Sequence, residues 1–389
     1  MENMMKDVWI SGIGQTEVGE HWDLSIRELA LHAIEAAVQD AGGLAPQALY
    51  VGNMLAPALS RQTHLATLIA DFAGLSGVEA VTVEASGASG GAAFRQAALA
   101  VQSGAVETAL VLGVEKITDQ VGPVVSAALA TALDADYESE QGMTPTAQAA
   151  LLMQRYLYEY NPPREAFGAF PITAHANGAT NPYAMFRSAI KPETYNRAGM
   201  VAPPLNMFDA APDADGAAAI LLSRGGAGSP GNGRVPVRVA GSSLVTDTLA
   251  LHDRPDPLDF RAVRLSAERA LRQAGRALGE VDFFELYDAY SIYAALALEA
   301  AGFADKGTGW AFPNGNGITR EGRLPVATFG GLKARGNPGG ATGVYQLVES
   351  ALQLRGDAGH NQVAGAKVGL VQSLGGPAST VVTHVLERI

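Results

Sequence analysis

Apolar residues fall along this chain in two rhythms that alternate. Val8–Gly14 (VWISGIG) reads as a short strand entering a polar loop, and Ser25–Ala41 carries Ile26, Leu29, Ala30, Ile34, Ala37 and Val38 at helical spacing. Leu49–Leu55 predicts the next strand. The same order then returns: a strand at Val235–Gly241, a helix over Phe260–Leu278 and a strand at Val281–Leu286. Each half passes through a glycine-rich turn into a helix of small residues, Ser86–Val101 in the first and Gly339–Leu354 in the second. Each closes on paired apolar strands, Thr108–Val114 with Ala217–Ser223, and Val368–Ser373 with Thr380–Leu386.

Strand–helix–strand alternation with apolar strands predicts an α/β fold, a buried mixed sheet covered by helices. The recurrence predicts an internal duplication, with one half over residues 1–230 and the other over 231–389. The segment Gly225–Arg234 (GGAGSPGNGR) has the composition of the joining linker. Roughly 90 residues, Gln120 to Pro212, interrupt the first half.

Composition narrows the function classes. At 389 residues, with 48% hydrophobic residues, the chain can bury a large core in two or three domain-sized units. No apolar run approaches the ~18 residues of a membrane span, and Met1–Asp7 lacks the apolar stretch of a secretory signal. A soluble cytoplasmic protein is therefore expected. The net charge of −12, without a basic stripe, argues against a nucleic-acid partner. Zero cysteines exclude disulfides, cysteine-type zinc sites and thiolate catalysis together. His175 and His252 lack metal-ligand spacing and read as structural or surface residues, so no metal site is expected.

Three motifs carry a resemblance: Val83–Gly91 (VEASGASGG), Asn177–Tyr183 (NGATNPY) and Gly336–Gly343 (GNPGGATG). In this order they resemble thiolases, especially the sterol-carrier-protein type and its archaeal relatives. His175-Ala176-Asn177, Asn181–Arg187 and Asp213–Ala219 extend the resemblance through nearly the whole chain. It implies the thiolase fold: duplicated βαβαβαββ halves in a five-layer αβαβα arrangement, with the interrupting segment as a loop domain at about 120–212 covering coenzyme A and substrate. It also implies a homodimer formed through the edge strands of the first-half sheet. An acyl-CoA thioester is the implied substrate, with no covalently bound cofactor.

The resemblance makes the departures informative. The family motif reads roughly VEAACASGG, with the nucleophilic cysteine fifth; Gly87 stands there. Glycine cannot hold an acyl group, although its amide remains a candidate oxyanion donor at a helix N-terminus. Ser86 has two open roles, a substitute nucleophile needing a strong base or a hydroxyl capping the helix. Asn337 replaces the histidine of the GHP motif; an amide can polarise a thioester oxygen but cannot carry protons. The Cys-x-Gly motif becomes Ser373-Leu374-Gly375, which retains the Gly375 amide and a poor base.

Tyr287-Asp288-Ala289-Tyr290 stands where relatives read HDCF or HDAF. Tyrosine at this first position also occurs in thiolase-like aldolases that cleave steroid side chains as CoA thioesters, where it is thought to act on the substrate hydroxyl. Tyr287 is accordingly the expected acid/base, Asp288 its orienting group or that of its loop, and Tyr345 a candidate second acid. Tyr287 and Tyr290 can alternatively be packing residues filling space vacated by cysteine and histidine. Arg187 and Lys191 can hold a CoA phosphate or be solvated surface charge.

Three functions are consistent with these residues. One is carbon–carbon bond formation or cleavage of aldol or retro-aldol type on an acyl-CoA, without an acyl-enzyme. The others are a non-catalytic acyl-CoA- or lipid-binding subunit, and an acetyl-CoA acyltransferase with slow transfer through Ser86. The resemblance also implies a partner, since archaeal-type thiolases and thiolase-like aldolases often pair with a small zinc-ribbon/OB-fold protein.

Overall fold

The computed structural model describes residues 7–163, 165–224 and 235–389. The expected linker Gly225–Arg234 lies outside the described residues, as does Met1–Lys6 of the N-terminal segment.

The strands are β1 (Val8–Gln15), β2 (Ala48–Gly52), β3 (Glu79–Val83), β4 (Thr108–Glu115), β5 (Met200–Ala202), β6 (Leu205–Asn206), β7 (Gly216–Arg224), β8 (Val237–Thr246), β9 (Phe283–Glu285), β10 (Val368–Gly375) and β11 (Thr380–Arg388). All but the small β5–β6 hairpin join in the order β3-β2-β4-β7-β1-β8-β11-β10-β9. Outward from the centre, the first half runs β1, β7, β4, β2, β3. The second runs β8, β11, β10, β9, followed by a parallel bridge from Phe284 to Val326 in the place of β3. The strand directions match as well: β2 is parallel to β4, and β9 to β10, while β4–β7 and β10–β11 are antiparallel. The two halves therefore repeat one topology. They meet where β1 pairs with β8 through Trp9–Arg238 and Ile10–Val237.

Helices Ser89–Ser103 and Thr342–Arg355 each pack on strands of both halves and on each other, which makes them the middle layer. Helix Ile26–Asp40 covers the first-half strands from outside, and Arg261–Ala274 covers β8 and β11. This is the αβαβα stack expected from the sequence. Small residues make the central contact possible: a Cβ on Gly90 would lie 2.8 Å from the Gly340 carbonyl, and one on Gly343 would lie 2.5 Å from the Gly91 amide.

Most expected elements form within a few residues of their predicted bounds. Ser25 caps the first helix in a reciprocal box with Glu28. The helix expected to reach Leu278 stops at Ala274 because Gly275 takes the left-handed conformation that ends it. The turn at Gly339 is a separate 3-10 turn, and the helix begins at Thr342. Between β4 and β7 the chain leaves the sheet; of its helices, Gly122–Ala130 packs on the short first-half helix Ala56–Leu59, while Pro145–Tyr160 and Ala169–Gly178 pack on helix Ser291–Ala300 of the second half. Among the described residues no helix is long and apolar enough to cross a membrane.

Candidate active site

The site begins where β3 turns into the first central helix. Ser89 Oγ accepts from the Ala85 amide (2.9 Å) and donates to the Ser86 carbonyl (2.6 Å), so one hydroxyl pins the turn from both sides. The Ser86 amide donates to Glu84 Oε1 (2.6 Å), and Ser86 is held at φ +53°, where a side chain costs strain. The helix is capped by Ala88 without a side-chain hydrogen bond, so Ser86 is not the cap that its position implied. Ser89 performs the local pinning instead, and Ser86 is left half-buried at a cavity wall.

Gly87 faces that cavity. A Cβ built on it would overlap the Tyr287 hydroxyl and lie 2.6 Å from the Leu374 carbonyl. The phenol of Tyr287 therefore fills the space that a side chain at position 87 would need. Tyr287 reaches it from the segment between β9 and helix Ser291–Ala300. Its side chain is only 7% exposed, and its hydroxyl has no hydrogen-bond partner among the described residues. Burial pushes the phenol well above its ordinary range, with nearby Tyr290 and Asp288 adding to the shift, so it is a proton donor at neutral pH.

The cavity has a volume of about 160 Å³. Asn337 enters it from the turn after Gly336. Its Oδ1 accepts from Thr342 Oγ1 (2.9 Å), which leaves the Nδ2 protons for a ligand. This turn is held from below by Glu115, a fully buried carboxylate. It accepts from the Gly340 amide (2.9 Å), the Met54 amide (3.0 Å), the Leu55 amide (3.0 Å) and Asn53 Nδ2 (2.7 Å). Burial raises its pKa to about 7 despite these donors. Glu115 thus ties a turn of the first half to the Asn337 turn of the second.

Asp213, whose place in the Asp213–Ala219 motif gives no hint of a chemical role, also lines this cavity. Its side chain is accessible to water, yet the protein packed around it removes enough solvent to raise its carboxyl to about 6. It has no hydrogen-bond partner among the described residues, and its charge is felt by both Tyr287 and Tyr290. The signal that finds it is an unpaired carboxylate beside an unpaired phenol, and only the fold supplies that. Tyr290 lines the same cavity, its hydroxyl bonded to Thr146 Oγ1 (2.9 Å) and its pKa raised to about 12 by burial.

Other expected site residues lie elsewhere. Ser373 is wholly buried and donates to Gln346 Oε1 (3.2 Å) below the central helices, so it does not line the cavity. Tyr345 is buried too; its hydroxyl is within 3.1 Å of both Thr16 Oγ1 and the Thr16 carbonyl, and its ring lies near Arg335, which removes it from the cavity wall. Gly375 closes β10 opposite Thr380 and packs on the Ala85 carbonyl, while its neighbour Gly376 lines the cavity. Asp288 accepts from the Leu332 amide (2.7 Å) and lies near Lys333, so it anchors the π-helical turn Gly331–Arg335. Arg187 is partly exposed and paired with Glu17 (2.8 Å), and Lys191 is exposed just before the short helix Pro192–Asn196; neither lines the cavity. His175 is buried against Phe186 with Nδ1 3.3 Å from the Ser188 carbonyl, and His252 is exposed beside Asp253.

Comparisons with known proteins agree with this architecture. Residues 8–225 match the family model "Thiolase, N-terminal domain" and residues 243–388 match "Thiolase C-terminal domain-like". The chain is 41% identical over 388 residues to an acetyl-CoA acetyltransferase of Methanothermobacter thermautotrophicus, covering 99% of this chain and 100% of that protein. It is 30% identical over 368 residues to the benzoylsuccinyl-CoA thiolase subunit BbsB of Thauera aromatica, covering 93% of this chain and 91% of that one. Among solved structures, the Ltp2-ChsH2(DUF35) aldolase matches with a TM-score of 0.84 at 22% identity, covering 98% of both chains.

Proposed function

The chain belongs to the thiolase family, and from that premise we propose that it acts on acyl-CoA thioesters, making or breaking a carbon–carbon bond of aldol type without a covalent acyl-enzyme. One observation carries the reading: the unpartnered Tyr287 hydroxyl occupies the side-chain space of Gly87, in a cavity shared with the unpartnered Asp213 carboxylate. A nucleophile is missing, but an acid and a base are present.

The retro-aldol direction uses them as follows. The ionised Asp213 takes the proton of a β-hydroxyl, directly or through a bound water. The Cα–Cβ bond breaks, Cβ becomes a carbonyl, and the electron pair passes into a thioester enolate. Asn337 Nδ2 donates to the enolate oxygen, as an oxyanion donor should. Tyr287 protonates Cα and regains its proton from Asp213, so no net proton is lost and no oxidant is needed. Aldol addition is the same sequence reversed. The test is to supply β-hydroxyacyl-CoA thioesters and follow release of a carbonyl product and a shortened acyl-CoA by mass spectrometry. Intact substrate across a varied set would remove the reading.

The carboxyl of Asp213 sets the pH dependence. The base must be ionised, so kcat/KM rises as pH passes upward through about 6 and levels off above it. Below that point the rate falls about tenfold per pH unit. Asp213→Asn should lower the rate and abolish the limb; the same limb in the variant would assign it to another group.

A specific feature favours a second reading, acyl transfer through Ser86: this residue is strained at φ +53° and lines the cavity. Incubation with a labelled acyl-CoA and peptide mapping separates the two, since only transfer leaves label on Ser86.

A second polypeptide belongs to the proposed functional form. The Thauera relative is named as a subunit and the aldolase neighbour as a two-component Ltp2-ChsH2(DUF35) assembly. A zinc-ribbon/OB-fold protein would bring the cysteines that this chain lacks. We place the homodimer contact at β3, the outer strand of the first half, where Val81 is 48% exposed. Arg187 and Lys191 remain the proposed CoA-phosphate contacts; Arg187 would have to exchange Glu17 for phosphate. Affinity capture from the native host tests the partner, and recovery of a fully active homodimer alone would make it unnecessary.

A further inference from the structure

The side chains that line the cavity bear on what can enter it. Leu129, at the end of helix Gly122–Ala130, and Leu133, just beyond it, bring apolar side chains to the cavity that Tyr287 and Asp213 also line. The Thr146–Tyr290 hydrogen bond (2.9 Å) joins helix Pro145–Tyr160 to the residue capping helix Ser291–Ala300. The bond is braced from both sides. Behind Tyr290, the Tyr293 ring packs edge-on at 5.0 Å and itself meets Phe260 at 5.7 Å. On the Thr146 side, buried Gln148, two residues on in the same helix, donates to Glu138 Oε1 (2.8 Å), which also accepts the Leu251 amide (2.9 Å). Lengthening the cavity in this direction means breaking a hydrogen bond and shifting packed aromatic rings, not swinging a surface side chain aside.

The cavity volume, about 160 Å³, compares with the cavity of about 150 Å³ that accommodates one benzene ring. It therefore holds about six non-hydrogen atoms, and the thioester carbonyl and its α-carbon must be among them. Resting on the reading that this cavity receives the acyl group, we propose that the protein is selective for short acyl thioesters, of about five carbons at most, with Thr146 and Leu133 setting the limit.

Isothermal titration of the intact protein with free CoA, acetyl-CoA, butyryl-CoA and octanoyl-CoA tests this without requiring turnover. Butyryl-CoA should bind at least tenfold more tightly than octanoyl-CoA. In the double variant Thr146→Ala/Leu133→Ala the ratio should fall to threefold or less, through better octanoyl binding. Thr146→Val keeps the side-chain shape and removes the hydrogen bond, and should move the ratio in the same direction even where the double variant folds poorly. Octanoyl-CoA binding to the wild type as tightly as butyryl-CoA would overturn the length limit, as would an unchanged ratio in a variant with a wild-type melting curve. Failure of every thioester and of free CoA to bind would instead overturn the acyl-CoA reading beneath it.

Discussion

Tyr287→Phe should lower kcat/KM on an active β-hydroxyacyl-CoA by a hundredfold to ten-thousandfold, the range for loss of a positioned acid or base. That corresponds to about 3–5.5 kcal/mol at the transition state. The substitution is unusually clean. The hydroxyl has no hydrogen-bond partner among the described residues, so its removal leaves no orphaned protein group. Phenylalanine keeps the ring that packs beside Gly87, and the melting temperature should stay within a few degrees of wild type. Tyr290→Phe is the internal control. That hydroxyl is already committed to Thr146, so its loss should cost less in rate. If Tyr287→Phe turned over as fast as wild type, Tyr287 would be a packing residue and Asp213 would need another proton relay.

The duplicated fold was legible because each pair of closing strands is apolar on both faces, as buried strands must be. Thr108–Val114 with Ala217–Ser223 and Val368–Ser373 with Thr380–Leu386 could be paired before any coordinates, and the structure pairs β4 with β7 and β10 with β11. β3 was missed because it carries mostly exposed side chains and lies at the sheet edge, where no apolar alternation betrays it. Within the site, the loss at Gly87 was legible from its motif, while Asp213 was not. Aspartate before a strand is ordinary, and its significance lies in what is missing around it. Tyr345 and Ser373 show the converse. Each looked available in the sequence, yet each hydroxyl is claimed by a residue distant in the chain, Thr16 and Gln346 respectively. Hydrogen-bond satisfaction is a property of the folded neighbourhood, and a motif does not encode it.

The thiolytic cleavage of acetoacetyl-CoA should be undetectable in the wild type, and Gly87→Cys alone should not create it. Asn337 cannot shuttle a proton for a new thiol, and the steric obstacle is larger still. The new Cβ would lie 2.6 Å from the Leu374 carbonyl, a backbone atom of β10 that cannot rotate away, and would overlap the Tyr287 hydroxyl. Overpacking of this kind typically costs about 1–3 kcal/mol, so the variant should melt several degrees below wild type. It should also lose wild-type turnover, because Tyr287 must move for the cysteine to fit. Gly87→Cys combined with Tyr287→His removes the clash with the phenol but leaves the one with Leu374. It should recover part of the lost stability and still show no thiolysis. Stopped assays with CoA and acetoacetyl-CoA, run beside thermal melts of the three proteins, check each step. Thiolysis by the single variant at a rate proportional to its cysteine titre would mean that the backbone around β10 yields, and that the absent nucleophile was the only barrier between this site and the family's usual reaction.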